Sequence, residues 1–562
     1  MLKTVVLSSL HRVFPDCCPQ DSANNRFSCL ADEPLNFQIA YIKSGEGRNP
    51  LGINIRIETE LPISFYYAER VAVLRNDPPG LTVPGRAGLY PDILLPKKIN
   101  PTLKNESPFG NRWFEKGEQR QLCAIKEAWQ TLFFTVNENA RLQKAGNYTV
   151  SVVFLSADTN KELCRESISV KIIPQKLEPQ KLICTNWFYG DCLCDAHHIK
   201  PMSDEFFKAV GNYARKAALN GQNMFLTPCF TPPLDTPPGC YRQKIQLVGI
   251  KVTEEGEYLF DFSLLKRYIR VCQKAGIRYF EHSHLFTQWG AKAAPQIWAE
   301  VKGKEKRIFG WNTKASGRAY RRFLKAYLPA VTAFFRENGL EKKVLFHISD
   351  EPDSNMIASY KQALEGVGNM LEGFMVGDAL SHYEIYEQGL VQTPIVATDC
   401  VHNFVGRCKN FWCYYTGGQI KDGLSNRLHV VSAERNRMIG VHMYTAGVKG
   451  FLHWGYNYYY DMFSHGFTDP RLQPGNYMLS AGTSYLVYPA DHLDCYQSVR
   501  QKVFAEGILD LRALNTLEKL KGRSAAEAII EKHFGNVGFF TAPDTPEAYL
   551  AFREELNRAI SE

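Results

Sequence analysis

The 562-residue sequence lacks the signals of several large classes of protein. It contains no run of the roughly 18 consecutive apolar residues that suggest a membrane-spanning helix. It has no arginine-rich helix, zinc-finger spacing or basic-aromatic repeat, so its net charge of +8 does not indicate a nucleic-acid partner. The apolar stretch from Thr4 to Leu10 contains two serines, and no small-x-small cleavage pattern follows it. We therefore expect a cytoplasmic protein with no membrane span and no nucleic-acid partner.

The fifteen cysteines lack the spacing of a disulfide scaffold or a zinc site. Cys17 and Cys18 are adjacent, and Cys192-Leu-Cys194 has no matching second pair or paired-histidine motif. A reduced, intracellular protein with buried free thiols is therefore favoured over a metalloprotein. No metal and no cofactor are predicted.

Residues 1–176 are predicted to form an antiparallel β-sandwich. Runs of alternating apolar and polar residues recur there between turn signals. These runs cover residues 35–42, 53–57, 130–136 and 148–154. Because exposed aromatic residues are not clustered in this region, we favour a supporting role for the domain over ligand binding.

From residue 177 the pattern changes to alternating strands and amphipathic helices, which is typical of a parallel sheet. The strand candidates are 181–188, 223–227, 277–283, 343–349, 374–376, 395–398, 411–415 and 450–454. Eight such units predict a closed (β/α)₈ TIM-like barrel over residues 177–515. An open doubly wound sheet is the alternative, but no Gly-x-Gly-x-x-Gly follows the first strand. Residues 516–562 are predicted to be a helical extension packed on the barrel.

The densest basic run lies between two of these strand candidates. It extends from Lys302 to Arg307 and is interrupted by Glu305. We interpret it as a solvated loop.

Acids, histidines and flat aromatic residues follow the predicted barrel strands. Active-site groups of such barrels lie at the C-terminal ends of the strands. Aromatic faces pack on the C–H surfaces of sugars, and carboxylates contact hydroxyls and the glycosidic oxygen, so this composition is typical of a carbohydrate site. The residues at these ends are Trp187, Tyr189, Glu281, His282, His284, His347, Asp350, Glu351, Asp378, Asp399, Tyr414, Tyr415, Trp454 and Asn457.

Two adjacent carboxylates, Asp350 and Glu351, come directly after an apolar strand candidate and before Pro352. The charge of one carboxylate and burial raise the pKa of the other, which suits a general acid near neutral pH. In a regular strand the two side chains would face opposite ways, so the strand must end here, and Pro352 favours such an end. The alternative is a solvated turn that places acids at the start of a helix.

Several stretches resemble glycoside hydrolase family 123, whose studied members are β-N-acetylgalactosaminidases. Their order and spacing cover roughly residues 180 to 515, and the N-terminal domain resembles the β-sandwich of that family only in position and texture. The matching stretches are Phe262-Ser-Leu-Leu, Gly276-Ile-Arg-Tyr-Phe-Glu281, His284-Leu-Phe-Thr-Gln-Trp-Gly290, His347-Ile-Ser-Asp-Glu-Pro352, Trp412-Cys-Tyr-Tyr415, Trp454-Gly-Tyr-Asn457, Leu486-Val-Tyr-Pro489, Ser498-Val-Arg500 and Glu506-Gly-Ile-Leu-Asp510.

The resemblance implies an exo-acting glycosidase for β-linked N-acetylhexosamines that retains anomeric configuration through the acetamido group of the substrate. It implies that Asp350 orients the acetamido N–H and that Glu351 is the general acid/base. It also implies that no metal is needed, so the rim histidines are orienting or core residues. A tyrosine is expected to bind the acetamido oxygen and Trp454 to enclose its methyl group. The expected substrate-binding residues are Tyr414, Tyr415, Trp454, Asn457, Trp187, Trp289, Glu281, His284, His347 and Asp399.

Three alternatives stay open. The first is a retaining glycosidase in which Asp399 or Glu281 is the nucleophile and Glu351 the acid/base. The second is a sugar-binding or scaffold protein without catalysis. The third is a metal-dependent hydrolase that uses the histidines at the strand ends.

Overall fold

The computed structural model describes residues 1–19, 25–47, 49–74, 86–97, 122–421, 423–475 and 479–562. These residues form two compact units. The first unit comprises residues 1–180, 420–445 and 496–562, and the second comprises residues 181–419 and 446–495. No helix in the described parts of the chain combines the length and the apolar composition needed to cross a bilayer.

The two units differ from the predicted division at residues 176/177 and 515/516, because the first unit is discontinuous along the chain. Buried ion pairs join its three segments. Arg437 and Arg553 both contact Asp510, and Arg553 also contacts Glu33. Residues 420–445 and the last helices therefore belong with the N-terminal sheets as one compact unit.

The N-terminal part of the first unit contains two β-sheets. One sheet contains β1, β3, β8, β5 and β6 in spatial order, and the other contains β2, β10, β9, β4 and β7. Neighbouring strands are antiparallel except for the parallel pair β2 and β10. The strands are β1 (Leu2–Ser8), β2 (Arg26–Leu30), β3 (Leu35–Lys43), β4 (Leu51–Glu58), β5 (Ile63–Val73), β6 (Gly88–Pro96), β7 (Leu122–Ala124), β8 (Gln130–Val136), β9 (Gly146–Ser156) and β10 (Glu162–Ile173).

The two sheets share one apolar core, which confirms the predicted β-sandwich. Phe37 of β3 and Phe134 of β8 stack with their ring centroids 4.9 Å apart. Val152 and Phe154 of β9, in the other sheet, are buried in the same cluster. Alternating side chains on each strand thus meet between the sheets, as the period of two in the sequence predicts.

The rest of the chain alternates strands and helices. In chain order its elements are β11 (Ile183–Asn186), α1 (Gly190–His197), α2 (Asp204–Leu219), β12 (Met224–Thr227), β13 (Gly249–Val252), β14 (Tyr258–Asp261), α3 (Ser263–Ala275), β15 (Tyr279–His282), β16 (Ile297–Val301), β17 (Lys304–Phe309), α4 (Arg318–Glu337), β18 (Val344–Phe346), α5 (Ile357–Val367), β19 (Met375–Leu380), α6 (Tyr383–Glu387), β20 (Thr393–Ala397), β21 (Trp412–Tyr414), α7 (Ala433–Arg437), α8 (Ile439–Ala446), β22 (Gly450–His453), β23 (Tyr488–Ala490), β24 (Asp494–Ser498), α9 (Val499–Lys521), α10 (Arg523–Phe534) and α11 (Pro546–Ser561).

The second unit contains a closed barrel of eight parallel strands, which confirms the predicted TIM-like fold. The strands follow the order β11, β12, β15, β18, β19, β20, β21 and β22, and each overlaps the strand predicted for it. The barrel closes where Ile183 pairs with Gly450.

Local signals set the helix ends: the Ser203 side chain accepts a hydrogen bond from the N–H of Phe206 at the start of α2. Helix α3 ends at Gly276, which has φ +110°.

The chain segments that precede and follow β15 in the sequence form a four-stranded sheet. Its strand order is β14, β13, β16 and β17. The interpretation of Lys302–Arg307 as a solvated loop was wrong, because β16 and β17 pair as an antiparallel hairpin. Lys302 and Gly303 have φ values of +51° and +70°, as a two-residue hairpin turn requires. Exposed charged side chains on β17 hid the strand pattern in the sequence.

Candidate active site

A buried imidazole lies between two carboxylates at the C-terminal ends of β15, β18 and β19. His347 Nε2 is 2.9 Å from Glu281 Oε1, and His347 Nδ1 is 3.4 Å from Asp378 Oδ1. Burial alone lowers the pKa of His347, but the hydrogen bonds to Asp378 and Glu281 outweigh it and raise the pKa to about 10. His347 is therefore an imidazolium that donates through both ring nitrogens.

Both of these carboxylates also accept hydrogen bonds from neutral donors. Glu281 accepts from Thr185 Oγ1 at 2.5 Å and from Trp187 Nε1 at 3.1 Å. Asp378 accepts from Tyr360 Oη at 2.5 Å and from the backbone N–H groups of residues 348 and 349, each at 3.1 Å. These bonds hold the two carboxylates in place, one at each nitrogen of the imidazolium.

Asp350 and Glu351 occupy different environments although they are adjacent in the chain. Strand β18 ends at Phe346, and Glu351 has a left-handed backbone conformation with φ +46°. Asp350 is only 6% exposed, whereas Glu351 is exposed to solvent. Burial and the charge of Glu351 raise the pKa of Asp350 to about 8.

Each member of this pair accepts a hydrogen bond from a neutral donor. Gln288 Nε2 donates to Asp350 Oδ2 at 2.8 Å, and Tyr414 Oη donates to Glu351 Oε1 at 2.6 Å. The sequence prediction assigned Tyr414 to the substrate, but the structure places its hydroxyl on Glu351. The pair can thus carry two separate functions, one buried and one at the protein surface.

The predicted aromatic residues lie at different depths. Trp187 is buried, and its ring lies edge-on to His284 at 5.1 Å and to His347 at 5.9 Å. Trp454 is half-buried, with its ring edge-on to Tyr458 at 5.2 Å. Trp289 is 36% exposed, and its backbone N–H donates to the carbonyl of Asp350 at 3.4 Å. Trp454 and Trp289 therefore present aromatic surface, whereas Trp187 lies in the interior.

Several predicted polar residues are buried. Both ends of the Asn457 amide hydrogen-bond the backbone of Tyr189, at 2.9 and 3.0 Å. The ring of Tyr415 is buried and edge-on to Phe451 at 5.2 Å. The ring of His284 stacks on His347 with centroids 4.5 Å apart, and within the described residues neither of its nitrogens has a hydrogen-bond partner.

Protonation differs among the histidines at the strand ends. Burial lowers the pKa of His284 well below its usual value, so its ring is neutral. Burial also lowers the pKa of His282 to about 4, and this ring contacts Tyr327 Oη at 2.7 Å. Within the described residues no group of three or more histidine, cysteine, aspartate or glutamate side chains has the geometry of a metal site. Asp399 is half-buried, and its Oδ1 atom has no partner there either.

Sequence reasoning did not single out Gln288, although it lies in the quoted stretch between His284 and Trp289. It also missed Asp235 and Tyr458, which hold Gln288 through contacts far apart in the chain. Position next to predicted site residues was the only signal for Gln288. The sequence carries no local signal for Asp235, since its partners come from other loops.

Carboxylates among aromatic side chains at the C-terminal end of a closed parallel barrel are the arrangement expected of a carbohydrate-active enzyme. A family model described as the catalytic domain of glycoside hydrolase 123 matches residues 187–517, which is more than half of the chain. The chain therefore belongs to glycoside hydrolase family 123. Glycoside hydrolysis is the activity that this membership supports, and a carbohydrate is the implied substrate.

Solved structures resemble the chain at low sequence identity. A family 123 glycoside hydrolase from Clostridium perfringens, whose study concerns glycolipid glycan hydrolysis, has a TM-score of 0.71 at 12% identity and covers 100% of this chain and 97% of its own. At this identity the likeness shows the fold alone.

Two further structures have TM-scores too low to support an argument. A family 39 glycoside hydrolase from Bacteroides cellulosilyticus has a TM-score of 0.33 at 9% identity, covering 82% of this chain and 81% of its own. A β-glucuronidase from Ruminococcus gnavus has a TM-score of 0.29 at 10% identity, covering 84% of this chain and 66% of its own. A search of curated proteins found no match.

Proposed function

We propose that this glycoside hydrolase releases a β-linked N-acetylhexosamine, with N-acetylgalactosamine favoured, from the non-reducing end of a glycan by substrate-assisted, retaining catalysis. The observation that carries this proposal is the division of the carboxylate pair. Asp350 is buried beside an amide donor, and Glu351 is exposed beside a phenol.

Asp350 suits the acetamido group in its ionised form, because that carboxylate is poorly solvated. Since burial and the charge of Glu351 raise its pKa to about 8, the proposed role predicts activity that rises with pH towards that value rather than a general-acid role for Asp350. The acetamido oxygen of the substrate attacks the anomeric carbon, the glycosidic C–O bond breaks, and an oxazolinium ion forms. Its N–H carries a growing positive charge and donates to Asp350. A buried carboxylate whose hydrogen-bond donor is a neutral amide stabilises such a donor more strongly than a solvated one does.

Glu351 suits the acid/base role because it faces solvent while one oxygen is held. Tyr414 donates to Oε1, which leaves Oε2 to carry the proton. Glu351 gives this proton to the leaving oxygen and then takes one from the water that opens the oxazolinium ion. Neither carboxylate has to attack the sugar, so both can lie on neighbouring residues.

A second candidate mechanism uses a carboxylate nucleophile. Glu281 is poorly suited because Thr185, Trp187 and His347 all hydrogen-bond its carboxylate. Asp399 is the better candidate, since its Oδ1 atom has no partner among the described residues. This mechanism needs no acetamido group on the substrate.

The remaining predicted residues take supporting roles in this proposal. Trp454 and Trp289 supply aromatic surface to sugar rings, while His347, Glu281 and Trp187 order the interior behind Asp350. Asn457 acts indirectly through the backbone of Tyr189.

The glycolipid glycans named for the Clostridium perfringens enzyme are one substrate class to test. We keep the cytoplasmic location as a prediction, which the fifteen free cysteines favour.

The testing experiment compares hydrolysis of p-nitrophenyl N-acetyl-β-galactosaminide and p-nitrophenyl β-galactoside. Wild type, Asp350→Asn and Glu351→Gln are assayed, with Glu365→Gln on the exposed face of α5 as the matched control. We expect turnover of the acetamido substrate alone, lowered about 10²-fold or more by each site variant and unchanged in the control. The N-acetyl-β-glucosaminide then tests the configuration at C4.

Other outcomes contradict the proposal. Equal or better turnover of the plain galactoside, with activity insensitive to Asp350→Asn, supports the carboxylate-nucleophile mechanism. Wild type that binds N-acetylgalactosamine and hydrolyses neither substrate overturns the proposed activity.

A further inference from the structure

We infer that Gln288 is a positioning residue for Asp350, held in one orientation by a strap that joins the loop after β12 to the loop after β22. The strap consists of Asp235, Tyr458, Phe463 and Ser464. The inference rests on the proposed role of Asp350.

Two hydrogen bonds fix the orientation of the Gln288 amide. Its Oε1 accepts from the backbone N–H of Asp235 at 2.6 Å, and its Nε2 donates to Asp350 Oδ2 at 2.8 Å. A backbone N–H can only donate, so the carbonyl end of the amide must face residue 235. The NH₂ end is therefore directed at the carboxylate.

The backbone around Gln288 is also joined to the backbone around Asp350. The N–H groups of Leu285 and Phe286 donate to the carbonyls of residues 347 and 348, at 3.0 and 2.9 Å. Ser349 Oγ donates to the carbonyl of Thr287 at 2.8 Å. These bonds extend the pairing of β15 and β18 up to the active site, so the two residues share one rigid backbone frame.

The strap holds Asp235 at both its side chain and its backbone. The carboxylate accepts from Tyr458 Oη and from the backbone N–H of Phe463, the second at 2.9 Å. Its carbonyl accepts from Ser464 Oγ at 2.8 Å. Asp235 is thereby fixed against the loop after β22, and its N–H points at Gln288.

Left-handed backbone conformations are concentrated in this network. The non-glycine residues with positive φ here are Asp235 (+46°), Trp289 (+56°), Glu351 (+46°), Phe463 (+63°) and Ser464 (+55°). Such conformations cost energy and persist where surrounding contacts impose them. Their grouping in the strap and beside the carboxylate pair indicates a site built to hold one geometry.

A neutral amide suits this position better than a cation. An arginine at the same place would neutralise Asp350 and weaken its attraction for the developing N–H charge. The amide orients one carboxylate oxygen and leaves the negative charge for the substrate. Burial and the charges of Glu351 and Asp378 raise the pKa of Asp350, whereas the bond from Gln288 and the charge of His347 act in the opposite direction.

A double-mutant cycle tests the inference with Gln288→Met and Asp350→Asn, alone and combined. The substrate is 2,4-dinitrophenyl N-acetyl-β-galactosaminide, whose leaving group keeps the Asp350→Asn rate measurable. We expect Gln288→Met to lower kcat by about 10- to 10²-fold in the wild-type background, as loss of a hydrogen bond to a charged group predicts. In the Asp350→Asn background the same change should lower kcat by less than about threefold.

The matched control is Gln246→Met. Gln246 is a buried glutamine of the same unit that bonds only backbone groups of Val248 and Trp298 in the described structure. The Gln246→Met variant should be less stable than wild type, but the pH profile of its kcat/KM should stay at the wild-type position. Gln288→Met should instead move the acid limb of kcat/KM to higher pH, because the donor that favours ionised Asp350 is gone.

Equal losses in both backgrounds, with an unmoved acid limb, would overturn the inference. If Gln288→Met folds poorly, Tyr458→Phe is the second variant, because it keeps Gln288 and loosens Asp235. It should move the acid limb in the same direction, and an unmoved limb contradicts the strap. If wild type hydrolyses only plain glycosides, the proposed function fails. The same double-mutant cycle on the 2,4-dinitrophenyl galactoside then measures separately whether the effect of Gln288→Met on kcat depends on Asp350.

Discussion

Each compact unit contains a buried cluster of charged side chains, and the two clusters pair their carboxylates differently. We call the first the helix cluster, formed by Glu33, Arg437, Glu506, Asp510 and Arg553. Its central carboxylate, Asp510, accepts from the Nε atoms of Arg437 and Arg553, each at 2.7 Å. Arg553 also binds Glu33 at 2.5 Å, and Arg437 binds Glu506 at 3.1 Å.

We call the second the rim cluster, formed by Glu281, His347, Asp350 and Asp378. Its cation, His347, is shared by Glu281 and Asp378, while the hydrogen bond to Asp350 comes from the neutral Gln288. Burial tends to raise the pKa of both central aspartates. Arg437 outweighs burial at Asp510, whose pKa is lowered, whereas the pKa of Asp350 is raised.

For these two aspartates the charge of the partner, more than depth, sets the direction of the pKa shift: two guanidinium groups lower the pKa of Asp510, and a neutral amide leaves that of Asp350 raised. A buried carboxylate between two guanidinium groups is satisfied in the folded state, and removal of either partner is destabilising. A buried carboxylate whose donor is neutral has no hydrogen-bonded cation to balance its negative charge. In the proposed mechanism the oxazolinium ion supplies the balancing positive charge.

The largest expected effect comes from breaking the helix cluster. Asp510→Asn leaves two buried arginines without their shared anion, so we expect the free energy of unfolding to fall by about 3–5 kcal/mol. Urea denaturation measures this change. The kcat of the folded fraction should stay within about twofold of wild type, because the cluster has no proposed part in the reaction. Unchanged stability would show that the arginines find other partners.

The opposite sign is expected for Asp350→Asn. The folded pKa of Asp350 lies above its unfolded value of about 4, so the folded state binds the proton more tightly and loses stability as pH rises through that window. Replacement by asparagine removes this loss. We expect a gain of a few kcal/mol at pH 8, for which the shift of the pKa from about 4 to about 8 sets a ceiling of about 5 kcal/mol, and the gain should disappear towards pH 4.

Asp510→Asn is the internal comparison for this pH series. Asp510 has a lowered pKa, so its stabilising contribution is present above the unfolded pKa and is lost as pH falls. The cost of Asp510→Asn should therefore shrink at low pH, where the gain from Asp350→Asn also vanishes. A gain from Asp350→Asn that does not depend on pH would show that charge is not its cause.

Much of the fold could be predicted from the sequence because the elements that build it have local signatures. Barrel strands such as Val344–Phe346 are buried and read as apolar runs. The hairpin of β16 and β17 could not be predicted in this way, because its outer strand carries four exposed charged residues, Lys304–Arg307. The discontinuous first unit was also hidden, since Arg437 and Asp510 are 73 residues apart.

The same physical limit applies to the candidate site. Asp350 and Glu351 are adjacent in the chain, and their proximity to a strand end is visible in the sequence. The bond from Gln288 to Asp350 spans 62 residues, and the bond from Tyr458 to Asp235 spans 223. Side-chain bonds across such separations depend on loop geometry, which no local pattern encodes.

The smallest expected effect comes from two matched tyrosines. Tyr414 Oη donates to Glu351 at 2.6 Å in the second unit, and Tyr549 Oη donates to Asp510 at 2.7 Å in the first. Tyr414→Phe should lower kcat by about five- to tenfold for substrates with poor leaving groups and less for activated ones, because it disturbs the acid that protonates the leaving oxygen. Tyr549→Phe should lower the free energy of unfolding by about 1 kcal/mol and leave kcat unchanged. A series of aryl glycosides measures the change in kcat, and urea denaturation of each variant measures the change in the free energy of unfolding. Equal effects of the two variants on rate or on stability would remove the distinction between the clusters.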